Sequence, residues 1–237
     1  MIPISDENPA LLKPIVTWAI IAACIAVFFW QLSFSESGEE ELVFALGFVP
    51  KNLFDHAVTA SLFGISWPWF TLITSMFLHG GWMHLLGNMW FLWIFGDNIE
   101  DILGSAKYLL FYLLCGVAAA MAQFLADPES RVAMVGASGA IAGVMGAYMI
   151  KFPHSRIVSL VTIIFFFTTI EVPAWLMLIW RFFIQFFSGV GSIGHSQASQ
   201  GGGIAFLAHV GGFLAGMALI YLLVPRERYT RRRDLYW

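Results

Sequence analysis

Charged residues are scarce in this chain. Only 11% of its 237 residues are Asp, Glu, Lys or Arg, while 59% are hydrophobic and the mean hydropathy is +0.78. So little polar surface cannot cover a soluble globule of this size, which leaves an integral membrane protein. Cysteine is almost absent as well. Cys24 and Cys115 both fall inside apolar segments, so a disulfide framework and a CxxC metal or redox site are excluded. There is no HExxH, and no carboxylate stands at helical spacing from the histidines of HGGWMH, which argues against a zinc or iron centre there. No small-residue cleavage site follows the first apolar segment, and MIPISDENPALLKPIV ahead of it is acidic. That segment is expected to stay as an anchor and not to leave as a signal peptide.

Long apolar runs are what the chain does have. A spanning helix needs roughly 20 mostly apolar residues, and six segments come near that length: 15–32, 82–95, 106–125, 137–152, 172–187 and 204–224. The fold class expected is an all-α integral membrane protein, a bundle of six transmembrane helices spanning 13–225 between tails at 1–12 and 226–237. The stretch 157–187 is apolar almost throughout, and as one helix it would measure roughly 45 Å against a hydrocarbon core of about 30 Å. Glu171-Val172-Pro173 is the expected break. Residues 157–170 then form an interfacial or re-entrant piece, and Arg181 falls awkwardly inside the fifth span, where it would have to snorkel.

Lysines and arginines orient the bundle, because cytoplasmic loops retain them. With the N-terminus inside, the inner segments hold Lys13, Lys107, Lys151, Arg156 and the five arginines of RERYTRRRDLYW; the outer side has Lys51, Arg131 and Arg181. Both termini are therefore expected in the cytoplasm and ESGEEE outside, with the RRR cluster as an anchor at anionic lipid.

In that layout spans two, four and six run from outside to inside, so their first turns share one depth. Span two opens with HGGWMHLLGN, carrying His79, His84 and Asn88; span four opens with GASG, carrying Ser138; span six opens with AFLAHVGG, carrying His209. Polar side chains at such depth are costly and face internal cavities. Their coincidence points to one shared wet site, with His79 and Gly136 expected in its lining. His84 and Asn88 are i, i+4 on one helix face. Glycine stripes at Gly139/Gly143/Gly146 and Gly212/Gly216 allow two helices to approach closely, which could bring His209 to Ser138. His56, His154 and His195 lie apart from this group.

Taken singly these residues decide little. A serine in a Gly/Ala-rich span ordinarily packs and bonds back to its own helix, and GASGA lacks the second glycine of a hydrolase elbow. His209 alone is as consistent with a structural role as with a functional one. Together they describe a dyad: the histidine deprotonates the serine, the alkoxide attacks a carbonyl, and His84, Asn88 and the unpaired backbone N–H of Ser138 at a helix start face the oxyanion.

The ordered combination HxxxN, GxSG and AHxxG, with HGGWMHLLGNMWFLWIFGDNIEDILG, GASGAIAG, VPAWLMLIW and AHVGGFLAG around it, resembles the rhomboid intramembrane serine proteases of the compact six-span bacterial type. The resemblance implies a rhomboid-like helical bundle in a bacterial plasma membrane, with catalytic Ser138 and His209 and oxyanion assistance from His84 and Asn88. It implies no metal, no cofactor and no nucleic-acid partner. The substrates it implies are single-span transmembrane proteins in the lipid bilayer, cut near the outer face. Glu100 of NIEDILG resembles a structural glutamate of the family. Two positions differ: Ala142 stands where many members carry an aromatic against the histidine, and Trp67-Pro68-Trp69 replaces a Trp-Arg pair in the first outer loop. The loop FSGVGSIGHSQASQGGG is expected to act as a lid and span five as a lateral gate. The rival readings are a catalytically silent rhomboid-like membrane-protein binding or quality-control protein, and a channel or transporter, for which no inverted repeat is visible.

Overall fold

The computed structural model describes residues 2–8, 10–54, 68–163, 166–192 and 205–224. His56, His195, Trp67, most of the glycine-rich lid loop and the arginine-rich tail lie outside the described residues. In chain order the elements are β1 (Ile2–Asp6), α1 (Ile15–Gln31), α2 (Glu36–Leu46), α3 (Thr71–Thr74), α4 (Trp82–Leu103), α5 (Ser105–Ala126), α6 (Ser138–Lys151), β2 (Arg156–Ile163), β3 (Phe166–Pro173), α7 (Ala174–Ser192) and α8 (Ala205–Leu223). Single 3-10 turns occupy Pro50–Leu53 and Pro68–Phe70.

Each long apolar segment of the sequence is a helix close to where it was expected. Two of them, Ser105–Ala126 and Phe206–Leu223, are by themselves long and apolar enough to cross a membrane. α4 continues to Leu103, past the expected end at residue 95, because its last two turns bury their polar groups against partners. Glu100, 1% exposed, is the main one. Its carboxylate accepts hydrogen bonds from the Val16 N–H (2.9 Å), the Thr17 N–H (2.8 Å), the Thr17 hydroxyl (2.8 Å) and the Ser105 hydroxyl (2.7 Å). A carboxylate at the start of α1 satisfies free N–H groups and sits at the positive end of the helix dipole. Asp101 adds bonds to the Leu11 and Leu12 N–H groups, so α4 holds the entry to α1 at two points. Gly104, at φ +75°, then turns the chain from α4 directly into α5, a conformation that favours glycine.

The expected all-α architecture needs a correction, since the chain is mostly helical but contains a three-stranded sheet. The stretch 157–170, read as an interfacial or re-entrant piece, belongs to an antiparallel hairpin in which Arg156 pairs with Pro173 and Ile163 with Phe166. β1 pairs with the other edge of β2, Ile2 opposite Leu160 and Asp6 opposite Ile157, giving the order β1-β2-β3. Length and hydropathy alone hid this. The run is rich in β-branched residues, Val158, Val161, Thr162, Ile163, Thr168, Thr169, Ile170 and Val172, which restrict χ1 and suit a pleated surface. The expected break holds in place: β3 ends at Pro173 and α7 begins at Ala174.

The sheet is tied to the bundle through buried polar groups. Tyr148 of α6 donates to the Asp6 carboxylate at 2.7 Å, Asn98 of α4 donates to the same carboxylate at 2.9 Å, and the Trp90 ring N–H reaches the Pro3 carbonyl at 2.7 Å. At the other end, an isolated bridge between Phe48 and Met134 joins the segment after α2 to the approach of α6. α6 lies at the centre, with every residue from Ala140 to Tyr148 buried.

Candidate active site

Ser138 is the first residue of α6. The chain reaches it through Gly136, whose φ of +120° favours glycine and whose N–H donates to the Ser75 carbonyl at 2.8 Å. A Cβ at this position would stand 2.6 Å from the His84 ring, so the turn also needs an absent side chain. His209 lies in the second turn of α8 and is 8% exposed. Its Nε2 is 2.6 Å from the Ser138 Oγ. For the serine to donate to that nitrogen, the ring hydrogen of His209 must be on Nδ1.

Glycines bring the two residues together. A Cβ on Gly212 would collide with the Gly139 carbonyl, one on Gly216 with the Gly143 carbonyl, and one on Gly146 with the Phe213 carbonyl. α6 and α8 are thus in backbone contact at three points over about two turns of α6, as small-residue stripes permit in lipid, where packing and not hydrophobicity drives association. Only that closeness lets a short serine reach a histidine on the neighbouring helix.

His84 and Asn88 project from the first turns of α4 toward the same place. The Gly80 N–H donates to Nδ1 of His84 at 3.4 Å, which leaves Nε2 as the ring donor, facing Gly136. The Asn88 side-chain amide nitrogen is buried with no hydrogen-bond partner among the described residues. Leaving such a donor unmade costs about 1–3 kcal/mol. Together with the Ser138 N–H, one of the free donors at a helix start, these groups can receive an oxygen that becomes negative beside the serine.

A small cavity opens against the dyad, with about 30 Å³ of room for water centres, enough for one or two waters. Asn88, Phe91, Ser138, Ala142, Arg181 and His209 are among the residues that line it. Ala142 is 1% exposed, and its small side chain helps leave this space where a ring would fill it. His79 and Gly136 do not line this cavity. His79 is fully buried one layer behind: its N–H donates to the Gln31 side chain at 3.0 Å, Gln31 donates back to its carbonyl at 3.1 Å, and its ring meets His84 edge-on at 5.3 Å. It buttresses His84, while Gly136 gives the His84 ring its space.

The Rhomboid domain model matches residues 66–226, more than half of the chain. The chain belongs to the rhomboid family. It is 33% identical to Rhomboid protease GluP of Bacillus subtilis (strain 168) over 137 residues, 58% of this chain and 24% of that protein. Putative rhomboid protease YdcA of the same organism is 40% identical over 81 residues, 34% of this chain and 40% of its own. Rhomboid protein 1, mitochondrial, of Saccharomyces cerevisiae (strain ATCC 204508 / S288c) is 27% identical over 169 residues, 70% of this chain and 45% of that protein. The chain spans less than half the length of each of these relatives. As a rhomboid it is a membrane protein, in keeping with the two helices among the described residues that are long and apolar enough to cross a membrane.

Two contributors were not assigned to the site from the sequence. Gln31 carried no motif, and only the fold shows it bracing His79. Arg181 did carry a signal, a lone cation in an apolar helix, but its place beside the dyad follows from how α7 packs.

Proposed function

We propose that this rhomboid is an intramembrane serine endopeptidase that cleaves transmembrane segments near the outer face through a Ser138–His209 dyad. The observation that carries the reading is the 2.6 Å approach of His209 Nε2 to Ser138 Oγ beside a buried Asn88 amide with no partner. His209 takes the serine proton as the hydroxyl attacks the peptide carbonyl, then gives it to the leaving amine; Asn88, His84 and the Ser138 N–H stabilise the tetrahedral oxyanion. Water for the second step enters the cavity beside Ser138.

In this reading α1, α4, α5, α6, α7 and α8 are six spans, with both termini on the cytoplasmic side, so Ser138 stands near the outer surface. Single-span membrane proteins are the substrates. They enter from the bilayer past α7, which packs only sparsely on α6 and α8, whereas α8 packs closely on both α5 and α6. Purified protein in proteoliposomes, challenged with a single-span substrate, tests the reading. Cleavage is expected in the wild type and its loss in Ser138→Ala; cleavage surviving that substitution, or mapping to the cytoplasmic half of the substrate, would refute it. The silent-rhomboid alternative predicts no cleavage and no covalent labelling by a serine-reactive probe.

A further inference from the structure

Arg181 is two turns into α7, about 10 Å from Ala174 along the helix axis. A charge at this depth is expensive unless it has a partner or faces water. Its guanidinium lies over the Phe91 ring of α4, 4.5 Å from the ring centre, and the residue lines the same cavity as Ser138, Asn88 and His209. A guanidinium held over a ring face is attracted by the ring electrons, and that contact consumes none of its N–H donors, which remain for an anion. Among the described residues Arg181 makes no hydrogen bond or ion pair, and none of the nine residues lining the cavity is acidic. The cation thus stands in the reaction space without a counter-charge from the described residues.

On the protease reading above, we propose that Arg181 is a specificity-determining residue that binds an Asp or Glu side chain of the substrate, within about two residues of the scissile bond. A substrate carboxylate is the anion that fits this position. Lipid phosphates lie at the ends of the helices, whereas Arg181, although exposed along part of its surface, sits mid-helix at the cavity wall with its guanidinium over Phe91. The planar fork matches a carboxylate with two parallel N–H···O bonds, which a neutral amide cannot reproduce. Ion pairing also removes an uncompensated positive charge from the space where His209 must become positive as it takes the serine proton. Binding the acidic side chain and enabling the proton transfer are then one event.

The test uses full-length protein in proteoliposomes and matched single-span substrates carrying Asp, Glu, Asn, Gln or Lys at each position flanking the cleaved bond. The wild type is expected to prefer Asp or Glu over the corresponding amide by about tenfold or more in kcat/KM at one or two positions. That ratio should collapse toward one in Arg181→Gln, persist in part in Arg181→Lys, and invert in favour of Lys substrates in Arg181→Glu. A ratio within one enzyme does not depend on how much of each variant is folded. The same comparison of carboxylate with amide substrates by pull-down on Ser138→Ala, with and without Arg181→Gln, reads the preference without catalysis. If no substrate is cut but the binding preference appears and needs Arg181, the protease reading fails and the subsite stands. An absent preference in both assays, or one that persists in Arg181→Gln, overturns the subsite.

Discussion

Substituting Gly212 with alanine puts the shortest side chain at a point of backbone contact between the two helices that carry Ser138 and His209. A Cβ there would stand 3.0 Å from the Gly139 carbonyl carbon, 3.4 Å from the Ala119 Cβ, and closer still to the Gly139 oxygen. Carbon atoms in contact keep about 3.5–4.0 Å, so α8 must withdraw from α6 by close to 1 Å. Gly212 is three residues from His209, and Gly139 is adjacent to Ser138, so the withdrawal acts almost directly on the 2.6 Å Oγ···Nε2 distance. Opening that distance to about 3.5 Å removes the hydrogen bond. A misplacement of about 1 Å costs on the order of 10²-fold in rate, and overpacking of this kind costs about 1–3 kcal/mol in stability. Initial rates on a reconstituted substrate, paired with thermal unfolding in detergent, separate the two effects. Gly38→Ala in α2 is the control, because a Cβ there meets only ordinary contacts starting at 3.4 Å. If Gly212→Ala cleaves within threefold of the wild type and unfolds at the same temperature, glycine packing does not set the dyad distance and the reasoning fails.

Glu100→Gln should lower the unfolding temperature by about 5–10 °C, because one carboxylate oxygen becomes a donor facing donors within a set of four bonds; a shift under 2 °C would show that α1 does not depend on it. Asn88→Ala should reduce kcat by about 10²-fold with little change in KM, as expected for a donor used mainly in the transition state, and an effect confined to KM would contradict that role. Burial pushes the Asp6 carboxyl up from its ordinary 3.8 to about 7, against the opposing hydrogen bond from Tyr148. The neutral form is the one that suits the site, so docking of β1 is full below pH 3.8 and weakens as pH rises toward 7, by up to about 4 kcal/mol. Hydrogen exchange of residues 2–6, corrected for intrinsic rates, should show protection falling across that window in the wild type and staying flat in Asp6→Asn.

The sequence made the helical frame and the approach of His209 to Ser138 legible for physical reasons that can be named. Apolar runs near the thickness of a bilayer mark α1, α5 and α8, and the spacing of Gly212 and Gly216 from His209 marks a close helix pair. The register of that pair, and hence the 2.6 Å contact, depends on which carbonyl each glycine meets, and spacing alone does not contain it. The hairpin 156–173 was misread because a continuous apolar run carries no period, and its β-branched content was outweighed by its length. β1 was read as part of a tail because its stability comes from partners far along the chain, β2, Trp90 and Asn98. α4 was cut short because its apolar run ends at Phe95; Glu100 was read as structural, but the N–H groups that it and Asp101 cap are seen only in the fold.

Cleavage of a single-span substrate by reconstituted protein, wild type beside Ser138→Ala and His209→Ala, tests the central claim most directly, with a serine-reactive fluorophosphonate run in parallel. The account predicts cleavage and labelling in the wild type, and loss of cleavage in both variants with unchanged unfolding temperatures. Cleavage that survives either substitution, or a folded wild type that neither cuts nor labels, would contradict it.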